Sequence, residues 1–269
     1  MTVQLTKAEA FKAFHTRPQP LLLPNPWDVG SAKYFAHMGF EALASTSLGQ
    51  KSSEGDIVAN ADAILANLKA ICDATDLPVN ADLENCFADD PEEAAKLMAR
   101  ACEAGAVGAS IEDATGDRDN PIYEFELTVD RVRAAVEAVR SLPVPFMLTA
   151  RAEGLLFGHG DIDDIIKRLL AFEAAGADCL YAPGLKTIPE MKQVMDAVST
   201  PVNIVMGFAD PNITLAELAE IGVRRVSIGA GFYRVAMAAA VDAAQQMKDG
   251  DFTFVNDMIG IGKLYSAFR

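Results

Sequence analysis

Apolar and polar positions fall in alternating blocks along this chain. Short apolar runs occupy 20–24, 40–46, 78–83, 107–112, 144–151, 178–182, 201–206 and 224–229. Each has the length of a strand buried on both faces. Between them lie stretches in which apolar residues recur every three or four positions, at 29–38, 57–75, 91–104, 128–141, 161–175, 187–198, 214–221 and 231–248, and these predict helices. The punctuation agrees. Asp90-Pro91-Glu92-Glu93 combines a capping residue, a first-turn proline and first-turn acids. Gly39, Gly105, Gly176 and Gly222 each stand where a helix must stop before the next strand. Strands and helices in strict alternation predict an α/β fold, a (β/α)8 TIM-type barrel. A preceding helix is expected over 1–17 and a helical C-terminal extension over 250–269, which carries Phe252, Phe254 and Tyr265. Pro24-Asn25-Pro26-Trp27-Asp28, after the first strand, lacks the glycines of a phosphate cradle, which argues against an open doubly wound sheet. No linker rich in Gly, Ser or Pro interrupts the pattern, so 1–269 is expected to be one domain.

The barrel reading gathers the chemistry at the carboxyl ends of the strands. Strand one supplies Asn25, Trp27 and Asp28; strand two, Ser45, Thr46 and Ser47; strand three, Asn80, Asp82 and Glu84. Strand four gives Glu112 and Asp113, and strand five Arg151 and Glu153, whereas strands six to eight end mostly on small or apolar groups. Converging carboxylates need protons, an arginine or a cation. Asp82, Glu84 and Glu112 are hard oxygen ligands suited to Mg²⁺, with Mn²⁺ as the alternative. The Arg151 guanidinium matches a substrate carboxylate or phosphonate, and the hydroxyls and amides of Ser45, Thr46 and Ser47 suit a second anionic group. The competing view of these acids is a set of rim salt bridges. His159 lies on the loop after strand five, where a solvated histidine and a mobile acid are both open. Cys86 has no histidine placed to activate it. His15 and His37 fall in helices and are read as surface residues.

A net charge of −15 argues against nucleic acid or an anionic membrane surface as partner. No run approaches the roughly 20 apolar residues of a membrane helix, and the four cysteines show no metal spacing and read as reduced, buried thiols. With no apolar leader near the N-terminus, a cytoplasmic location is expected.

Taken in order, Asn25-x-Trp27-Asp28-x2-Ser31-Ala32, Gly39-Phe40-x-Ala42-Leu43-Ala44-Ser45-Thr46-Ser47, Asn80-Ala81-Asp82, Ile111-Glu112-Asp113 and Ala150-Arg151 resemble the isocitrate lyase/phosphoenolpyruvate mutase superfamily, from about residue 20 to 235. The resemblance implies a Mg²⁺-dependent barrel that makes or breaks C–C or P–C bonds beside a 2-oxo acid or its enolate. It implies metal-shell roles for Asp82 and Glu112, with Glu84 restoring charge, and a substrate-carboxylate role for Arg151. Ser45, Thr46 and Ser47 would hold the oxo-acid end beside Trp27, Asp28 and Asn80, while Asp56 resembles the acid of a gating loop and Asn120 a substrate asparagine. Two departures stand out. Asn80 replaces the first acid of the family's Asp-Ala-Asp, and the stretch 114–121 has neither Cys nor His where the lyases carry Lys-Lys/Arg-Cys-Gly-His. The expected activity is therefore C–C cleavage of a small 2-oxo or 2-hydroxy (di)carboxylate through an enolate, other than isocitrate or methylisocitrate cleavage. P–C chemistry, or 2-oxo acid binding with little turnover, are the alternatives. The resemblance also implies a homo-oligomer, as a tetramer.

Overall fold

Eight parallel strands, β1 (Leu21–Leu23), β2 (Leu43–Ala44), β3 (Val79–Asp82), β4 (Gly108–Glu112), β5 (Met147–Arg151), β6 (Cys179–Tyr181), β7 (Val202–Val205) and β8 (Arg225–Ser227), are paired in the order β1-β8-β7-β6-β5-β4-β3-β2. The computed structural model describes residues 3–269; Met1 and Thr2, at the start of the expected first helix, lie outside the described residues. The barrel closes between β1 and β2, where the Ala44 N–H donates to the Pro24 carbonyl at 3.1 Å. Asn25 secures the seam. Its amide donates to the carbonyls of Ala44 (3.2 Å) and Ser45 (3.3 Å), and its Oδ1 accepts from the N–H groups of Ile228 (3.0 Å) and Gly229 (2.9 Å).

Parallel neighbours need crossovers, and eight helices follow the strands: Val29–His37, Ala61–Asp73, Pro91–Glu103, Phe125–Arg140, Ile162–Ala175, Ile188–Ala197, Leu215–Glu220 and Gly231–Lys248. Their starts are set by caps: Asp90 accepts from the N–H groups of Glu92 and Glu93, and Thr187 and Thr214 form capping boxes with Glu190 and Glu217. The helix expected over 57–75 begins only at Ala61, because Asn60 caps it through the Asp62 and Ala63 N–H groups. The short helices Ser47–Ser53 and Gly154–Phe157 were not expected, since 7 and 4 residues are too few for a helical period to show. Gly105 (φ 103°) and Gly176 (φ 100°) take the left-handed turn that returns the chain to β4 and β6.

Along each strand alternate residues turn to the barrel axis. The outward set, such as Ala81, Ala109, Leu148, Ala150, Leu180, Ile204 and Val226, joins Leu97, Met98, Val132, Leu169, Phe172 and Met191 of the helices in the apolar core. The helix Val3–Phe14 closes the amino end of the barrel. Its Gln4 side chain donates to the Ala106 and Cys102 carbonyls at 2.9 and 2.7 Å, and Lys7 to the Thr75 carbonyl at 2.8 Å. The space left by the absent side chain of Gly108 is taken up by Asn80 Oδ1, the Met147 carbonyl and the Phe11 ring. His15, just past this helix, is buried and stands edge-to-face on Phe11, so the surface reading fails for it; its apolar neighbour and the barrel floor cover it. His37 is exposed as expected, and all four cysteines are free and buried. At the other end the helix Gly231–Lys248 buries no residue, and a 3-10 turn, Thr253–Asp257, and the helix Ile261–Ser266 follow it.

Candidate active site

β3, β4 and β5 carry their last inward residues to one level, where Asp82, Glu112 and Arg151 meet. Arg151 donates from Nη1 to Asp82 (2.9 Å), from Nη2 to Glu112 (3.1 Å) and from Nε to Glu153 (2.8 Å). Its guanidinium also stacks 4.8 Å above the Tyr181 ring at the end of β6. The other oxygen of Asp82 accepts from the Ser47 N–H and hydroxyl, both at 2.9 Å, and the Asp82 N–H donates to Ser45 Oγ at 2.9 Å. The end of β2 is thereby locked to the end of β3. Thr46 caps the short helix that follows, accepting from the Gly49 N–H.

Three carboxylates on one guanidinium leave the cluster acid-rich. Burial, with Glu153 and Asp82 nearby, holds Glu112 well above the usual carboxylate range although Arg151 opposes this. Burial raises Glu153 in the same way. For Arg151 burial works against its charge, but Glu112, Glu153 and Asp82 outweigh it and hold the guanidinium protonated. Behind the cluster, Asp113 accepts the Glu153 N–H at 2.7 Å and pairs with Arg168 at 3.1 Å. Burial still pushes Asp113 up to about 6. That pair fixes the loop that presents Glu153.

A cavity of about 210 Å³ opens above and beside the cluster, lined among others by Ser45, Thr46, Ser47, Asn80, Asp82, Arg151 and Tyr181. Not every expected residue reaches it. Glu84, whose backbone is left-handed at φ 50°, turns its carboxylate to Lys51 at 3.3 Å. Asp28 caps the helix Val29–His37 and is exposed, and Trp27 packs edge-to-face on Tyr233 at 5.8 Å. Asp56 is exposed on the loop after the helix Ser47–Ser53, and Asn120 is exposed on a turn where Thr115 donates to its carbonyl. Of the set, then, Ser45, Thr46, Ser47, Asn80, Asp82, Glu112 and Arg151 are brought together. Glu84, Trp27, Asp28, Asp56 and Asn120 are held elsewhere by an ion pair, capping, packing or solvent. His159 is exposed, and Cys86 is buried, with burial pushing its thiol up to about 12, so it supplies no thiolate.

Strands seven and eight, read as ending on small groups, contribute what sequence reading missed. Asn203 and Arg225 line the deep end of the same cavity, and Arg234 its mouth. The signal was present in the two-residue period: Asn203 and Val205, and Arg225 and Ser227, occupy the inward phase of their strands.

The described residues include no group of three or more His, Cys, Asp or Glu side chains arranged to enclose a metal by themselves. Mg²⁺ ordinarily takes only one or two carboxylates and keeps several waters, and the acid excess around Arg151 suits a divalent cation. The donor set therefore fits, through Asp82 and Glu112.

The family model for phosphoenolpyruvate phosphomutase matches residues 11–248. A crystal structure from Burkholderia cenocepacia J2315, of a protein assigned provisionally as a lyase or mutase, has a TM-score of 0.96 at 48% identity and covers 99% of this chain and 96% of that one. The 2-methylisocitrate lyase of Escherichia coli (strain K12) is 28% identical over 222 residues, 78% of this chain and 74% of that one. Phosphonopyruvate hydrolase in complex with oxalate and Mg²⁺ shares the fold, with a TM-score of 0.85 at 22% identity, covering 97% of this chain and 94% of that one.

Proposed function

Because this chain belongs to the phosphoenolpyruvate phosphomutase family, we propose that its cavity cleaves a C–C bond in a small 2-oxo or 2-hydroxy (di)carboxylate and stabilises the enolate that results. The observation that carries the reading is the acid-rich cluster of Asp82, Glu112 and Glu153 around Arg151 at the wall of the cavity. Asp82 and Glu112 would hold Mg²⁺, or Mn²⁺ in its place, with Glu84 acting at a distance through Lys51. When bound, the ion would polarise the 2-oxo group and stabilise negative charge on its oxygen. The remaining N–H groups of Arg151, beyond those given to its three acids, bind the substrate carboxylate at a fixed height above Tyr181. Ser45 and Thr46, whose hydroxyl oxygens accept from the Asp82 and Gly49 N–H groups and keep their own protons to donate, orient the oxo-acid end, and Ser47, with both its N–H and hydroxyl given to Asp82, holds that turn in place. Tyr181 lines the cavity with its phenol protonated, raised by burial, and is better placed than the exposed Asp56 or His159 to return a proton to the enolate.

P–C bond chemistry is the second reading, favoured by the description of the matching family model. A panel of oxaloacetate, 2-methylisocitrate, 2-oxoglutarate and phosphonopyruvate, assayed with and without Mg²⁺, separates the readings. The expected result is Mg²⁺-dependent C–C cleavage of one of the carbon acids. Turnover of phosphonopyruvate alone would support P–C chemistry, and binding without product throughout would reduce the protein to a 2-oxo acid binder. No helix of the described residues is long and apolar enough to cross a membrane, and the net charge of −15 argues against nucleic acid or an anionic membrane surface as partner; a cytoplasmic location is part of the proposal. The exposed apolar residues of the last helices support a homo-oligomer, and the tetramer is what the family resemblance implies.

A further inference from the structure

The interior of an eight-stranded barrel is ordinarily filled by layers of branched apolar side chains. Below the acid cluster this one is polar: Asn80, Ser110, Thr149, Asn203 and Arg225 are all buried there. Arg225 is only 3% exposed, and its surroundings set it apart from the other buried arginines. Arg168 is paired with Asp113, and Arg151 with three acids. Arg131 also lacks a carboxylate partner, but both of its Nη groups are bonded, to the carbonyls of Asn85, Ala88 and Asp89, and it stacks on Tyr123. Arg225 donates from Nε to Asn203 Oδ1 at 2.9 Å and from Nη2 to Thr149 Oγ1 at 3.0 Å, both neutral partners. Its Nη1 has no partner, and no carboxylate of the described residues forms an ion pair with it.

A guanidinium does not lose its proton inside a protein, and a buried charge without a counter-charge is costly. The groups closest to supplying one are neutral. His15, packed beneath the barrel floor, gives one ring nitrogen to the Phe11 carbonyl at 2.8 Å and is kept uncharged by burial and by Arg225 itself, its pKa lowered to about 3. Its Nε2 and the Oδ1 of Asn80 are unpartnered as well. The unpartnered Nη1 and the uncompensated charge are therefore open to an occupant of the cavity, which Arg225 lines together with Asn203 and Arg234.

We propose that Arg225 is the anion-binding floor of the cavity and receives the second carboxylate of a dicarboxylate substrate. This rests on the proposed function for the identity of the occupant and narrows its substrate class from carboxylates to diacids. The spacing suits it. Thr149, the partner of Arg225, stands two residues before Arg151 on β5, about 6.6 Å along a parallel strand. A four-carbon chain with a carboxylate at each end can engage both levels, with the end near Arg151 reacting and the far end held below. Asn203, tied to Ser227 Oγ at 3.0 Å, orients the guanidinium for this.

The test is equilibrium binding by calorimetry, at constant ionic strength and with Mg²⁺ present, of malate and 2-hydroxybutyrate, which differ only in a carboxylate replaced by a methyl group. The wild-type protein should bind malate at least tenfold more tightly. Arg225→Met should lose that preference while binding 2-hydroxybutyrate as before, Arg225→Lys should keep part of it, and Arg234→Ala should retain it. Equal binding of both ligands by the wild type would overturn the proposal, and that arm needs no variant to fold. A preference retained in a folded Arg225→Met protein, or lost in Arg234→Ala alone, would also overturn it. Stabilisation by acetate equal to that by malate would assign the site to free small carboxylates and equally refute a substrate role. Because the readout is binding, an absence of C–C cleavage leaves this result intact, and a lost preference leaves cleavage untouched.

Discussion

Arg151 serves two functions that pull in different directions. It is the fork expected to meet a substrate carboxylate, and it is the counter-charge for Asp82, Glu112 and Glu153. Sequence reading identified the first function from the residue's place at the end of a strand. The second was hidden because Glu153, only two residues on, looks like another rim acid, whereas Asp113 draws its backbone inward and brings the carboxylate to Nε. Arg151→Ala should therefore do more than remove activity. It leaves three carboxylates buried together, and breaking such a cluster on one side costs about 3–5 kcal/mol. Urea unfolding without Mg²⁺ should show a loss of that order, and added Mg²⁺ should recover part of it. Arg151→Lys keeps the charge but cannot span three acids. It should fold with a smaller loss of stability and lower kcat/KM by roughly 100-fold or more, about 2.7 kcal/mol of transition-state stabilisation.

The strands and helices were largely legible because each is long enough to display its period and is bounded by a cap, a proline or a glycine. What escaped was either short or irregular. β2 pairs over two residues only, and the loop after β3 holds Glu84, Cys86 and Phe87 at φ 50°, 62° and 57°, a left-handed run that no glycine announces. That loop is held in shape by the Arg131 contacts to its carbonyls, and it turns Glu84 from the metal-facing position expected of it toward Lys51. Asn25 was read as one of several polar groups at a strand end, yet its main effect is on the architecture, since a two-residue β2 cannot close the barrel alone. Asn25→Leu removes four hydrogen bonds across the seam and leaves the Ile228 and Gly229 N–H groups without their acceptor. At roughly 1 kcal/mol for each bond, with buried donors costing more, a loss of about 3–5 kcal/mol is expected in denaturant unfolding. Hydrogen exchange should localise the opening to β1, β2 and the loop after β8. Exchange that stays uniform around the barrel would show that the seam does not depend on this residue.

The whole molecule presents an imbalance between its ends. The barrel buries its outward strand faces under eight helices, but the helix Gly231–Lys248 buries nothing and exposes Val235 (69%) and Val241 (60%) with Met237 and Met247, continued by Phe252, Met258, Ile261 and Tyr265. So many exposed large apolar side chains on consecutive elements are unusual on a monomer, and a net charge of −15 would keep copies apart without them. Association through these helices is the proposed solution, and it would reach the active site. Tyr233, at the start of the exposed helix, donates to the Ser52 carbonyl at 2.9 Å and packs on Trp27, so the helix braces the segment Ser47–Ser53, which adjoins the proposed substrate-binding turn Ser45–Ser47. Val241→Glu combined with Met237→Glu places charge on the shared face and should yield a monomer by light scattering, with the barrel still folded by circular dichroism. If the helix then loosens, KM should rise several-fold through Ser47, whereas Arg151 and its acids, anchored on β3 to β5, keep their geometry. An oligomer that survives both substitutions would place the contact elsewhere, and a monomer with unchanged KM would show that the brace through Tyr233 holds without a neighbour.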